Sequence, residues 1–417
     1  MKKRFILIAL CLIICSIMQG CANNRRAAHE KKETDNNSFF TGNEIYRGGD
    51  VYAEKYALCV EYVNQGRTRL NLYDTVSGTK VLYCFDSGCP HEPAEVIFLS
   101  GDSLPGGCIA YGFGGNTMSL REGCSYFCLF PDLIQADQEG RNRRSIAQLS
   151  EECAQGTGEL YTKEYYFRQY VCNYEILETE NSDGSISVFL GNLLEKRKVG
   201  IKGVFLKDGK QFDVFVADDL YDLNILNLSH FQNRLYFVCS GLDVPFDTLP
   251  SFREDYEAYC DALKAHSCVR VYEYDISANV LNLIISEQGT AGYDFCNGYI
   301  VHISEHGRGS KLLNTDGSVV RELPFPVGTL VRSNRYILAM YYDETTGSSI
   351  YYLYDPDNDI LLNSTEIRNS EMVLWAAVDN SYYGVSNGQT CYISAEDFWK
   401  GNIDSKIVLT ENDNNGR

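Results

Sequence analysis

From about Phe39 to the end of the chain, short runs rich in Tyr, Val, Ile and Phe are separated by clusters of Gly, Asp and Asn. That is the pattern of β-strands joined by turns. The clearest stretch runs from Asn334 to Asn363, where RYILAMYYD, a TTG turn, SSIYYLYD, a PDND turn and ILLN follow one another as three strands of a meander. Comparable units begin near Tyr56 (YALCVEYV, TRLNLYD, TKVLYC), Arg234 (RLYFVCS, VRVYEYD, VLNLII) and Asn297 (NGYIVHIS, SKLLNTDG, SVVREL). The shared phrase is a strand, a second strand ending in Tyr-Asp or Asn-Thr-Asp, a turn, and a shorter apolar strand.

Turns are expected at Ser77-Gly78, Asp183-Gly184, Asp208-Gly209, Asp316-Gly317, Thr346-Gly347 and Asn387-Gly388. Asp-Gly and Asn-Gly tolerate the positive φ of a type I′ hairpin turn. A four-stranded unit repeating about every 40 to 50 residues is the signature of a β-propeller. The roughly 375 residues of the body suit seven blades, with six or eight as the neighbouring counts. Two β-sandwich domains would also give short alternating strands, but with no reason for the phrase to recur.

One segment breaks the pattern. Ser251 and Glu254 have the spacing of a capping box, and Phe252, Tyr256, Cys260 and Leu263 recur near helical spacing. These residues predict one helix, near 252–265, inserted between two strands.

The amino terminus carries a separate message. Lys2, Lys3 and Arg4 precede an apolar stretch from Phe5 to Met18, and Met18-Gln19-Gly20-Cys21 reads as a lipobox. Fourteen apolar residues fall short of the roughly 20 that a spanning helix needs. The expected organisation is therefore a signal peptide over 1–20, a lipidated Cys21 with a polar flexible tether over 21–38, and a single propeller domain over 39–417. A diacylated cysteine supplies the two chains that stable anchoring needs. It places the body in the cell envelope, on the outer face of a bacterial membrane, with the lipid as its sole membrane contact.

Composition narrows the partners. The formal charge is −19, and loss of the three basic residues with the signal makes the mature chain more acidic still. No Lys/Arg stripe is present to neutralise phosphates, so nucleic acid is not expected. Thirty tyrosines and twenty phenylalanines against two tryptophans and five methionines suit aromatic, β-branched sheet faces. Of the sixteen cysteines, Cys11 and Cys15 leave with the signal and Cys21 is lipidated, which leaves an odd number. Cys59 and Cys239 sit inside apolar runs and are expected to pack as small hydrophobes.

The strongest local constellation is Cys84, Cys89 and His91, with Cys108 seventeen residues on. Cys3His is a ligand set that zinc accepts tetrahedrally, although C-x4-C-x-H is not the spacing of ordinary zinc fingers. A disulfide between two of the cysteines, or free thiols, are the other readings outside the cell. Beyond zinc at these residues, no cofactor is expected.

The same segment resembles a large group of uncharacterised bacterial lipoproteins predicted to be β-propellers. In that group a strand ends in Leu-Cys and is followed by Cys-x-His and then Cys-x-Ala-Tyr. The matching pieces here are Leu82-Tyr83-Cys84, Cys89-Pro90-His91 and Cys108-Ile109-Ala110-Tyr111, and Asp137 to Arg143 is similar to the group's Asp-x-x-Gly-x-x-Arg turn. The resemblance covers about residues 55 to 150, departs in the long interval before Cys108, and implies fold and location without an activity.

Other motifs have plainer readings. His91-Glu92-Pro93-Ala94-Glu95 lacks the second His of a zincin helix, and Pro93 obstructs such a helix. Asp355, Asp357, Asp359 and Glu366 have the spacing of a calcium loop, but Ile360 stands where that loop needs glycine, so a turn between two strands is expected. His302 and His306 bracket the end of a strand and do not converge on a metal. No G-x-S-x-G elbow, P-loop or dinucleotide fingerprint is present.

Catalytic residues stay unassigned. The favoured function is a lipid-anchored binding or scaffold module that recognises a glycan, peptide or protein through loops at one end of the ring. The alternative is a propeller-type hydrolase or lyase with carboxylates near the central channel, which would hold two of them about 5 to 10 Å apart. A structural subunit of an envelope complex, marked by an exposed apolar patch, is a third possibility.

Overall fold

The computed structural model describes residues 198–411 apart from 218, 252–253, 297, 332–335, 379–380, 388 and 409. Before these it describes 40–41, 50–52, 56–63, 67–74, 79–82, 118–121, 124–129, 132–137, 142–149, 154–162, 164–172, 175–180 and 186–191.

Among the described residues, a short strand β1 (Phe40–Thr41) precedes seven sheets that each contain a meander of four antiparallel strands. Blade 1 is β2 (Asp50–Tyr52), β3 (Tyr56–Val63), β4 (Arg67–Asp74) and β5 (Thr79–Leu82), and blade 2 is β6 (Met118–Arg121), β7 (Cys124–Leu129), β8 (Asp132–Ala136) and β9 (Arg144–Gln148). Blade 3 uses β10 (Ala154–Tyr161), β11 (Tyr165–Cys172), β14 (Lys198–Phe205) and β15 (Gln211–Ala217), with a separate hairpin of β12 (Glu175–Glu180) and β13 (Ile186–Gly191) inserted at its middle. Blade 4 is β16 (Tyr221–Phe231), β17 (Arg234–Leu242), β18 (Ser267–Asp275) and β19 (Val280–Gln288), with helix α1 (Tyr256–His266) between β17 and β18.

Blade 5 follows as β20 (Gly292–Cys296), β21 (Tyr299–Ile303), β22 (Lys311–Leu313) and β23 (Val319–Glu322). Blade 6 is β24 (Thr329–Val331), β25 (Ile337–Asp343), β26 (Ser348–Asp355) and β27 (Ile360–Arg368). Blade 7 is β28 (Val373–Val378), β29 (Ser381–Ser386), β30 (Gln389–Ser394) and β31 (Ile407–Val408), with helix α2 (Ala395–Trp399) before its last strand. Finally β32 (Thr410–Glu411) pairs in parallel with β5, placing Thr410 against Thr79 and Glu411 against Lys80. The end of the chain thereby joins the first blade, and the architecture is the seven-bladed β-propeller that the recurring phrase predicts.

Side-chain alternation holds successive blades together. On β17, Leu235, Phe237 and Cys239 pack with Phe167, Ile201 and Phe215 of blade 3. The intervening Tyr236 and Val238 pack with Tyr293, Phe295 and Ile300 of blade 5. The same division recurs on β25, where Ile337 and Ala339 join the core shared with blade 5 and Leu338 joins that shared with blade 7. Tyr126, Cys128 and Leu133 of blade 2 share a core with Tyr161, Tyr166 and Val204 of blade 3. Both faces of these strands are covered, which is why they read as continuous apolar runs.

Polar cross-links accompany these cores. The Asn227 Nδ2 donates to the Tyr293 carbonyl at 2.7 Å from blade 4 to blade 5, and the Leu374 amide donates to Tyr351 Oη at 3.1 Å between blades 7 and 6. Each satisfies a group that burial would otherwise leave costly.

The repeated Tyr-Asp also has a structural cause. Asp275 Oδ1 accepts the Ala278 amide at 2.9 Å, and Asp355 Oδ1 accepts the amides of Asp357 and Asn358, each at 3.1 Å. The preceding tyrosine reaches across the same turn: Tyr274 donates to Asn279 Oδ1 at 2.6 Å, and Tyr354 donates to Asp359. Asn279 and Asp359 hold positive φ, the conformation that Asn and Asp tolerate best after glycine. The Asp355 to Asp359 segment is therefore a turn between β26 and β27, as expected, and Glu366 lies along β27 opposite Ile350.

Two turn expectations need correction. The Asp208-Gly209 and Asp316-Gly317 pairs do join strands, but among their residues only the glycines, at φ 73° and 83°, are left-handed. They are not type I′, which needs both central residues at positive φ; a single left-handed glycine marks the longer hairpin with a bulge. The type I′ geometry appears instead at Gln232-Asn233, with φ 46° and 61°, between β16 and β17.

The helix begins later than predicted. Asp255, not Ser251, caps α1 by accepting the Ala258 amide at 3.0 Å, while the Ser251 carbonyl accepts the amides of Glu254 and Asp255 in a preceding turn. None of its residues is fully buried, so it lies on the surface with Cys260 and Leu263 half-covered.

Replacing Asp355 by Ala should cost about 1 to 2 kcal/mol by removing the acceptor of two turn amides, as chemical denaturation would measure. His230, on the inner strand β16, is held neutral by burial, which pulls its pKa down to about 4. The unfolded chain then binds the proton more tightly, so this contribution is complete above about pH 6.5 and fades as the pH falls toward 4. A His230→Phe variant should lose less stability across that window than the unaltered chain, in denaturant midpoints measured at pH 7 and pH 4.5.

A candidate binding face

Strand direction gives the propeller two unlike ends. At one end lie the turns joining first to second and third to fourth strands, such as Gln232-Asn233 and Asp355 to Asp359. Tyr165, at the start of β11, donates to Asn233 Oδ1 at 3.2 Å, and Tyr299, at the start of β21, donates to Asp357 Oδ1 at 3.0 Å. These contacts align adjacent blades at that end. At the other end, second strands pass to third strands, and the two longest insertions within blades among the described residues occur there: the β12–β13 hairpin after β11 and α1 after β17, whereas the shorter α2 excursion lies between the third and fourth strands of blade 7. The hairpin and α1 leave from adjacent blades.

Acid–base pairs line this second end beneath α1. His266 Nδ1 lies 2.8 Å from Asp243 Oδ1, and the Asp243 amide donates to the His266 carbonyl, so the two ends of the insertion are clasped together. Lys264 Nζ meets Glu305 Oε2 at 2.6 Å, tying the helix to the turn after β21 in blade 5. The ammonium beside Glu305 holds that carboxyl below the usual range. Arg270 Nη1 meets Asp219 Oδ2 at 2.5 Å between blades 3 and 4. These pairs are largely exposed, so they orient the insertion more than they stabilise it.

Between blades 4 and 5 a tighter group forms. Tyr293 donates to Glu287 Oε2 at 2.5 Å, His302 Nε2 lies 3.6 Å from the same oxygen, and the Tyr293 and His302 rings meet edge-on at 5.2 Å. Burial lowers the His302 pKa, and the Glu287 charge opposes that shift. Burial, then the Glu287 hydrogen bond, raises that of Tyr293. Glu287 remains 40% exposed while His302 is 15% exposed. The group therefore offers solvent a carboxylate already oriented by a tyrosine, suited to accept a hydroxyl or ammonium proton. His306, in the turn beyond, does not join it.

Deeper chemistry is not available where thiols and bases are sealed. Cys128, beside the Arg168 guanidinium at 3.2 Å between blades 2 and 3, has its thiol pushed up to about 12 by burial. Burial likewise raises Cys391 to about 11. Neither is a thiolate nucleophile near neutral pH.

Cys21, Cys84, Cys89, His91 and Cys108 lie outside the described residues, so the lipidation and the metal or disulfide readings gain no geometry here. Among the described residues, no group of three or more His, Cys, Asp or Glu side chains is placed to hold a metal ion, and no helix is long and apolar enough to cross a membrane. The Glu287, Tyr293 and His302 group was hidden from sequence reasoning because its members come from three strands. Only His302 stood out, as a histidine at a strand end.

No protein-family model matches the chain, nor does any curated protein sequence. Solved structures resemble it at low identity. An oligogalacturonate lyase in complex with manganese is 10% identical over 66% of this chain and 71% of that one, with a TM-score of 0.41. The oligogalacturonate lyase from Vibrio parahaemolyticus is 11% identical over 71% and 74%, with a TM-score of 0.43. The Porphyromonas gingivalis dipeptidyl peptidase 4 is 10% identical over 94% of this chain, with a TM-score of 0.47, and the chain spans 54% of its length. The fold assignment rests on the strand ladders and shared cores described above.

Glu287→Gln should keep an acceptor for Tyr293 while removing the charge that favours protonated His302. The His302 pKa should therefore fall further, which an NMR titration of its ring protons would show.

Proposed function

We propose that this protein is a lipid-anchored, extracytoplasmic binding or scaffold module that recognises a glycan, peptide or protein partner through the end of the propeller carrying the hairpin and α1. The observation that supports this reading most directly is that the two longest insertions within blades among the described residues leave adjacent blades at one end. Insertions in a repeat gather on one face, often the binding face. The Glu287, Tyr293 and His302 group beside them supplies polar recognition, and the acidic character of the chain favours partners bearing hydroxyl or ammonium groups over phosphates. Cys21 with its tether would keep the body at the envelope surface.

Purified protein applied to a glycan and peptide array should give a saturable hit that weakens at least fivefold in Glu287→Gln. Binding unaffected by that change and by polar-to-alanine substitutions along α1 would refute the assignment of this face. Turnover of the bound compound, abolished in Glu287→Gln, would replace binding with catalysis as the function.

A further inference from the structure

The outer strands of four successive blades begin with exposed aliphatic residues. On β19 these include Leu281 and Leu283, 39% and 53% exposed; on β23, Val319 at 61%; on β27, Ile360 and Leu361 at 50% and 44%; and on β31, Ile407 at 45%. Exposed edge strands are commonly blunted by charge, proline or a covering segment. On β23 and β27 the aliphatics stand at the first positions, immediately after the turn that joins third to fourth strand; on β19 they are the second and fourth residues, and Ile407 opens β31 after the α2 excursion. They form a band around the rim of blades 4 to 7, at the end opposite α1 and the hairpin.

The amino-terminal strand approaches from that same end. β1 runs antiparallel to β16, with Phe40 opposite His230 and Thr41 opposite Ser229, next to the Gln232-Asn233 turn. Seventeen residues, 22 to 38, separate Cys21 from Phe39. Taken as the tether proposed above, a linker of that length spans about 20 to 25 Å on average.

We infer that the aliphatic rim of blades 4 to 7 rests on the lipid surface that holds the anchor, leaving the insertion-bearing end facing outward. This inference rests on the lipid anchor proposed above. A bilayer fits better than a second copy, because the net charge of −19 opposes self-association and the aliphatics follow a curved rim across four blades. Asp316 and Asp357 in the adjoining turns make a zwitterionic surface the suitable one, since anionic headgroups would repel them.

The test uses full-length protein reconstituted into phosphatidylcholine vesicles with acceptor-labelled headgroups, carrying a donor dye on an azido residue at Ala278, in the turn before β19, or at Glu257 on α1. Energy transfer from position 278 should exceed that from 257 at least threefold, and the double change Leu281→Gln with Leu361→Gln should cut that ratio to below half. Val319→Gln on a different blade should act in the same direction, so the result does not depend on one variant folding well. Equal transfer from both positions, or a ratio unmoved by all three substitutions, overturns the inference. So does light scattering that shows a dimer which the double variant disperses. Mass spectrometry of the amino-terminal peptide reports the acyl group on Cys21 separately. If it is missing, the anchor reading fails, and flotation of the unacylated chain with the same vesicles tests the rim alone: flotation lost in the double variant upholds the rim, and no flotation overturns it.

Discussion

A middle strand of this propeller must satisfy two neighbours at once. Because successive side chains on a strand point to opposite faces, Leu235, Phe237 and Cys239 commit β17 to blade 3 while Tyr236 and Val238 commit it to blade 5. No blade can bury both faces alone, so each is stabilised only by the blades beside it. The pairing of β32 with β5 then matters more than its two residues suggest, since it joins the last blade to the first. A slip of one residue on any middle strand would exchange its two apolar sets between different neighbours. Register is thus fixed from both sides.

The same constraint sorts the two ends. In blades 4 and 6 the turns between third and fourth strands are held by the Tyr-Asp device, in which the aspartate collects turn amides and the tyrosine reaches the left-handed residue that follows. In blade 7 that connection lacks the device and carries α2 instead. Connections between second and third strands carry the hairpin of blade 3 and the helix of blade 4, although in blade 6 Asp343 Oδ1 accepts the Thr345 amide in a tight turn of the same kind. The clasp of Asp243 with His266 lets an excursion leave β17 and return to β18 without disturbing the ladder between them.

Much of this was legible in the sequence, and the limits have physical causes. The phrase starting at Arg234 is β17, β18 and β19, and that at Asn334 contains β25, β26 and β27, so the recurring unit was the outer three strands of a blade. Inner strands escaped notice because they are short or irregular: β24 has three residues, and β16 shifts register twice as it pairs with β17. The helix was predicted from the right residues but capped at the wrong one, since Ser251 and Asp255 both offer a capping oxygen and only the tertiary path between β17 and β18 chooses. The Asp183-Gly184 pair, which lies outside the described residues, signalled a hairpin, yet nothing local says that β12 and β13 leave the blade. The candidate site was least legible of all, because β19, β20 and β21 supply Glu287, Tyr293 and His302 separately.

Cysteine usage shows how sequence context can outrank residue chemistry. Among the described residues, Cys128, Cys239, Cys268, Cys296 and Cys391 are buried. Cys239 sits in the core shared by blades 3 and 4, as its apolar neighbours in LYFVCS imply. Cys296 and Cys391 occupy the same kind of place in the cores on either side of blade 6. A small side chain with a weak donor suits a position pressed between two sheets, where a longer residue would force the blades apart and a serine would need a partner for its hydroxyl. Burial also raises the thiol pKa of Cys128, Cys239, Cys268 and Cys391 and so removes the thiolate through which oxidation and exchange begin. The wedge of apolar side chains between blades therefore also withholds these thiols from thiolate chemistry.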